Sequence, residues 1–390
     1  MGAISADSHV VEGPGVFAGL AERFGDEAPR VVSRAADGEG DHIIIPARGA
    51  NGVNVAIMGL AATRLDRAVP INRKEAHKPD AGNIDDPEIQ AYFTGGYGAM
   101  RAGLTDGARR GDDQDIDGVD IEFLYPGYFA MFSFRNVDML VAIQKNYNDW
   151  LFDHCAASGG RLYGLAALPV QDPKIAVEEL QRVIKMGYKG AVIPCTSPAD
   201  RPYFDEAYDP LWACAAEANF PLSMHVGCMS YLPREYRPSR RRDGIAQYAG
   251  SAATIQDTLV EFMVRGVCAR HPTLQIVVAE FNAGWIAHWL DRVDQGWQRE
   301  AGRNPNAPKY ESIYEIWQRQ FYATIEDDQP ALLTRDIIGA DRLMWGSDYP
   351  HTDSTWPCSE AVLDEMFSAY PAEVKAQVTR DNVARLYGLD

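Results

Sequence analysis

The chain has little with which to build a covalent or zinc-knuckle scaffold. Its six cysteines, Cys155, Cys195, Cys214, Cys228, Cys268 and Cys358, are scattered over 390 residues without a single Cys-x-x-Cys pair. Such spacing suits reduced thiols in a cytosol better than a disulfide framework or a zinc knuckle. Long apolar runs are missing too: nothing approaches the roughly eighteen residues a membrane helix needs. Positive charge is in short supply, with 37 Lys and Arg against 55 Asp and Glu and a formal net charge of −18. That balance argues against nucleic acid or an anionic membrane surface as a partner, because both need a basic face. Neither a repeat nor a low-complexity tract interrupts the chain. The N-terminus carries no basic segment followed by an apolar one, so no signal peptide is expected and a cytoplasmic location is.

What is present is ordinary globular material, 46% hydrophobic and 24% charged residues, enough for a large core. Eight apolar, β-like runs recur, at 3–9, 119–125, 161–168, 189–194, 221–226, 274–280, 318–326 and 342–348. Helical patterns lie between most of them, at 137–157, 173–186, 206–218, 252–270, 284–295 and 329–338, with a C-terminal pair near 359–368 and 371–387. Repeated strand and helix alternation with eight strands predicts an α/β fold, a (β/α)8 TIM barrel forming one domain over residues 1–390. Two stretches break the rhythm. Residues 10–117 read as an insertion covering the barrel mouth, and its run Arg109-Arg110-Gly111-Asp112-Asp113 reads as a solvated loop. Residues 227–251 form a long loop after the fifth strand, with Arg237, Arg240, Arg241 and Arg242 as its basic concentration.

The chemistry-bearing residues collect at strand ends. Asp7 and His9 stand two apart on the first strand, so both side chains point to one face. His225 ends the fifth strand, Glu280 the sixth and Asp348 the eighth. Ligands on these four strands converge if the sheet closes into a barrel, whose active site lies at the carboxyl ends of its strands. The expected metal ligands are therefore Asp7, His9, His225, Glu280 and Asp348. Carboxylates with imidazoles suit zinc, manganese or iron without selecting among them, and one or two ions per chain fit the set. Asp348, Glu280 and His351 are the expected catalytic groups. Glu280 reads equally as a general base, as a bridge to a second metal, or as a residue orienting a ligand histidine. His351 reads as a substrate contact or as packing.

Asp-x-His opening the first strand, then Val10-Val11-Glu12-Gly13-Pro14, Gly187-Tyr188-Lys189-Gly190-Ala191, His225, the stretch from Glu280 to Trp285, and Gly346-Ser347-Asp348-Tyr349-Pro350-His351 together resemble the amidohydrolase-2 branch of the amidohydrolase superfamily. The resemblance implies metal-binding roles for His9 and His225, and a metal and proton-handling role for Asp348. Asp7 stands where several members have histidine or glutamate, and Glu280 where many have histidine. Those departures place metal-dependent hydrolysis of a carbonyl-containing ester, thioester, amide or C–C bond first. Non-oxidative decarboxylation of an aromatic or unsaturated acid comes second, and a non-catalytic binding barrel is the reading of another class. The substrate expected is small and anionic or aromatic, since Tyr125, Tyr128, Phe129, Phe132 and Phe134 crowd the end of the second strand. Relatives imply a homodimer or homotetramer.

Overall fold

The computed structural model describes residues 2–46, 49–63, 87–231 and 244–389. The basic residues Arg237 to Arg242, and His77, lie outside this set. Two compact units are present, one spanning Met1–Tyr128, Val141–Ala166 and Gly346–Lys375, the other Phe129–Leu140, Ala167–Trp345 and Ala376–Asp390.

In the first unit, β1 (Ala3–His9) carries the Asp-x-His pair. The stretch expected to be an insertion has structure of its own. β2 (Arg30–Ser33), β3 (Asp41–Ile45) and β4 (Gly49–Asn54) make an antiparallel sheet in the order β2-β3-β4. β5 (Val119–Tyr125) lies parallel to β1, with His9 opposite Tyr125, and β6 (Leu162–Gly164) is parallel to β5. Beyond the last strand, the chain from Gly346 returns along β1, where the Asp348 N–H donates to the Asp7 carbonyl at 2.9 Å. A side chain at position 346 would collide with the Asp7 Cβ, so this approach requires glycine.

The second unit is built on a parallel sheet of β8 (Ala191–Pro194), β9 (Leu222–His225), β10 (Ile276–Ala279), β11 (Phe321–Ile325) and β12 (Leu343–Trp345), each beside the next in chain order, with β7 (Ala166–Ala167) on the edge at β8. Every residue of these five strands is buried. Continuous apolar runs such as Ala191-Val192-Ile193 are what a parallel sheet covered on both faces demands. The helices between carry their own stop and start signals. Over Pro173–Met186, Asp172 accepts the N–H groups of Lys174 and Ile175, proline occupies the first turn, and Gly187 closes the end at φ 100°.

All eight expected strands are present, with local corrections: the eighth stops at Trp345, so Asp348 lies three residues beyond its end, and the expected helix 329–338 is two short ones, Gln329–Leu333 and Arg335–Ile338. The third strand divides into β6 and β7 at Leu165, and the seventh begins at Phe321 because Ile313–Gln320 is helical under a Ser312 cap. Gly266, at φ 86°, splits the expected helix 252–270 into Ala253–Val264 and Val267–Arg270. The largest correction concerns the charged run at 109–113. It opens a helix, Arg110–Asp117, whose Arg110, Asp113, Gln114 and Asp117 are buried. Positions i, i+3, i+4 and i+7 make one helical face, but here the buried face is polar, so a search for apolar periodicity passes over it. No helix among the described residues is long and apolar enough to cross a membrane.

Candidate active site and metal centre

Each unit holds one cluster of the expected residues. In the first, His9 is fully buried and its Nδ1 lies 3.0 Å from the Pro126 carbonyl oxygen. A carbonyl only accepts, so Nδ1 carries the proton and Nε2 is left to face the carboxylates. His9 Nε2 stands 3.1 Å from Asp348 Oδ1 and 3.7 Å from Asp7 Oδ1. His351 Nδ1 contacts the same Asp348 oxygen at 2.9 Å, and its ring packs against that of His9 at 3.9 Å between centroids. Asp348 is 1% exposed and sits in the left-handed region at φ 56°. A non-glycine residue there is strained and persists only where its surroundings over-determine it. The serines on either side supply part of that frame, since Ser5, Ser8 and Ser347 hydroxyls form a buried network joining β1 to the Asp348 turn.

The second unit repeats the device. Glu280 follows β10 at φ 61°, and its N–H donates to Thr324 Oγ1 at 2.8 Å. Asp328 holds the turn beyond it, one carboxylate oxygen accepting the N–H groups of Ala283 and Gly284 at 2.6 and 2.7 Å. Glu280 Oε2 lies 3.0 Å from His225 Nε2, while His225 Nδ1 faces the Val226 carbonyl at 2.7 Å. The Phe129 ring packs on His225 at 4.7 Å.

The donors present fit a divalent cation. His9, Asp348 and His351 offer ligand atoms within 4.8 Å of one another, as do Asp7 with His9 and His225 with Glu280. Asp348 Oδ2 is buried and takes no hydrogen bond among the described residues. A buried carboxylate oxygen without a donor is costly unless a proton or cation meets it. Mixed imidazole and carboxylate donors suit zinc, manganese or iron.

One residue was missed by sequence reasoning although it lies in a quoted motif. Glu12, three residues beyond His9, is fully buried and accepts the Tyr128 N–H at 2.9 Å. Burial pushes its carboxyl up to about 7. Of the expected aromatic wall, Tyr125, Tyr128, Phe132 and Phe134 are buried. His271 pairs with Asp209 at 3.1 Å.

The profile of the amidohydrolase family, Amidohydro_2, matches residues 102–389. The chain belongs to the amidohydrolase family. A gamma-resorcylate decarboxylase of Polaromonas sp. is 30% identical over 223 residues, 53% of this chain and 65% of that enzyme. The match therefore spans just under two thirds of the relative's length. An amidohydrolase of Mycobacterium avium subsp. paratuberculosis superposes with a TM-score of 0.75 at 19% identity, covering 100% of this chain and 98% of its own. The 5-carboxyvanillate decarboxylase of Novosphingobium aromaticivorans, complexed with manganese and 4-hydroxy-3-methoxy-5-nitrobenzoic acid, superposes at 0.61 and 22% identity, over 72% of this chain and 80% of the other. This amidohydrolase has the expected α/β fold, a (β/α)8 barrel of parallel strands. Two of these relatives, the gamma-resorcylate and the 5-carboxyvanillate enzymes, are named as decarboxylases.

Proposed function

We propose that this amidohydrolase is a divalent-metal-dependent, non-oxidative decarboxylase of a small hydroxylated aromatic acid. The observation that carries the reading is the state of Asp348: buried, strained at φ 56°, one oxygen shared by His9 and His351 and the other without a hydrogen bond among the described residues. Such a carboxylate serves to hold a cation and to pass a proton. The decarboxylases among the relatives support the choice of reaction, and the carboxyvanillate enzyme's manganese supports that ion over zinc or iron.

The ligands proposed are Asp7, His9, His225 and Asp348, with Glu280 either in the set or paired with His225. When bound, the ion supplies a Lewis acid for the substrate's carboxylate and phenolate oxygens. The chain's own part is proton handling. Asp348, linked to His351 at 2.9 Å, delivers a proton to the ring carbon that bears the carboxyl group. The bond from that carbon to the carboxyl then breaks, its electrons restore the ring, and carbon dioxide leaves. Pro126 keeps the His9 Nδ1 proton out of this traffic.

The test is a panel of hydroxybenzoates, 2,6-dihydroxybenzoate first, with protein stripped of metal and reloaded with manganese. One carbon dioxide per arene formed, lost on stripping and restored on reloading, is expected. Ester or thioester cleavage without carbon dioxide release returns hydrolysis to first place. A folded protein that neither binds metal nor turns over any substrate makes the chain a binding barrel.

A further inference from the structure

The helix Arg110–Asp117, whose first residues look like a solvated charged loop in sequence, contributes Arg110 and Asp113 to a buried contact with Tyr349, the neighbour of Asp348. Arg110 is fully buried. Its Nε and Nη2 bond the two oxygens of Glu122 on β5 at 2.8 and 2.9 Å. The same guanidinium lies 4.4 Å from the centroid of the Tyr349 ring, and Nη2 donates to the Tyr349 carbonyl at 3.3 Å. That carbonyl also accepts the N–H of His9 at 2.7 Å. At the far end of the ring, the Tyr349 hydroxyl donates to Asp113 Oδ2 at 2.7 Å, while Arg101 Nε donates to Asp113 Oδ1 at 2.8 Å. Tyr349 is thus held at its ring face, its hydroxyl and its carbonyl.

We propose that Arg110 and Asp113 are positioning residues: by clamping Tyr349 they set the left-handed turn at Asp348 and the placement of the His9 backbone, and so the spacing of the two groups on which metal binding and proton transfer depend. The inference rests on the proposed metal site. Two physical points carry it. A buried guanidinium and its carboxylate are costly to desolvate, and apolar side chains of similar size usually stabilise a fold as well or better. Asp348 at φ 56° needs an external constraint to stay there, and the clamp acts on the next residue along the chain. Arg110 reaches the His9 backbone through the Tyr349 carbonyl, to which the guanidinium and the His9 N–H both donate.

The test compares Tyr349→Phe, Asp113→Asn, and the paired Arg110→Met with Glu122→Leu. The paired change avoids leaving either charge buried alone. Manganese affinity of the stripped full-length protein is measured by competition with a chromogenic chelator, kcat and KM with 2,6-dihydroxybenzoate, and melting temperature by calorimetry. The expected result is melting within a few degrees of the parent, manganese affinity and kcat both lower by about 10- to 100-fold, and KM little changed. Folded variants with parental manganese affinity and kcat overturn the clamp. So do variants whose losses all scale with a lowered melting temperature, since these mark plain core packing. Asp348→Asn run alongside separates the two levels. If it keeps manganese affinity and turnover, the metal-site reading falls and the clamp with it; if it loses both while the clamp variants keep both, only the clamp falls.

Discussion

His9 Nε2 and Asp348 Oδ1 stand 3.1 Å apart, both side chains buried, at the end of β1 and in the turn that follows the last strand. A buried imidazole and carboxylate at that distance either share a proton or share a cation. Replacing Asp348 by Asn keeps the shape and removes the charge. Turnover is expected to fall by about 10²- to 10⁴-fold, the range of a lost proton-transfer group. Steady-state decarboxylation of 2,6-dihydroxybenzoate measures it, and near-parental kcat in a folded Asp348→Asn protein removes Asp348 from the mechanism.

Glu280 faces His225 at 3.0 Å. With decarboxylation as the reaction, one ion per chain is expected in the parent and still one in Glu280→Ala, with kcat reduced. Elemental analysis of protein purified without chelator measures the ratio. Two ions falling to one or none identifies Glu280 as a bridge between metals and favours hydrolysis.

Gly346 lies where any side chain meets the Asp7 Cβ. Gly346→Ala is expected to cost about 1–3 kcal/mol, the usual penalty of overpacking, and to weaken manganese binding by moving β1 and the Asp348 turn apart. Denaturant titration with and without the ion resolves the two effects. Unchanged stability and unchanged affinity contradict the close approach.

Asp117 accepts the N–H and hydroxyl of Ser359 at 2.9 and 2.6 Å and is buried, which pushes its carboxyl up to about 7 from an ordinary 3.8. Desolvation is the first cause, opposed by the two Ser359 bonds. A raised carboxyl binds its proton more tightly in the folded state. Its contribution to stability is present in full below about 4 and is lost as pH rises through about 7. At roughly 1.4 kcal/mol per pKa unit the loss is about 4 kcal/mol. Asp117→Asn, neutral at every pH, is expected to flatten the fall in melting temperature between about pH 4 and 7, the window set by the two pKa values. Parallel pH profiles for parent and variant exclude this role.

The local pattern of residues determined a good deal. Apolar runs such as Ile276 to Ala279 have one stable fate, a buried parallel strand, and Pro173 with Gly187 marks the helix between them at both ends. Asp7 and His9 share a face because a strand repeats every two residues, so their pairing needed no knowledge of the fold. The position of His225 at the end of its strand, and of Glu280 one residue past the end of its own, was legible from where the apolar runs stop, whereas Asp348 lies three residues past a strand that ends at Trp345. Tertiary structure decided the rest. The left-handed turns at Glu280 and Asp348 exist because Thr324, Asp328 and the β1 backbone hold them, and those partners are up to 341 positions distant in sequence, as Asp348 is from Asp7. Nothing around Glu12 in the sequence signals its burial or its bond to the Tyr128 N–H, which the fold supplies. The polar face of Arg110–Asp117 lacks apolar periodicity altogether; only its packing against Glu122, Tyr349 and Ser359 turns a charged run into interior structure. Charge in a sequence reports a preference for water, and a partner brought by the fold from far along the chain is what overrides it.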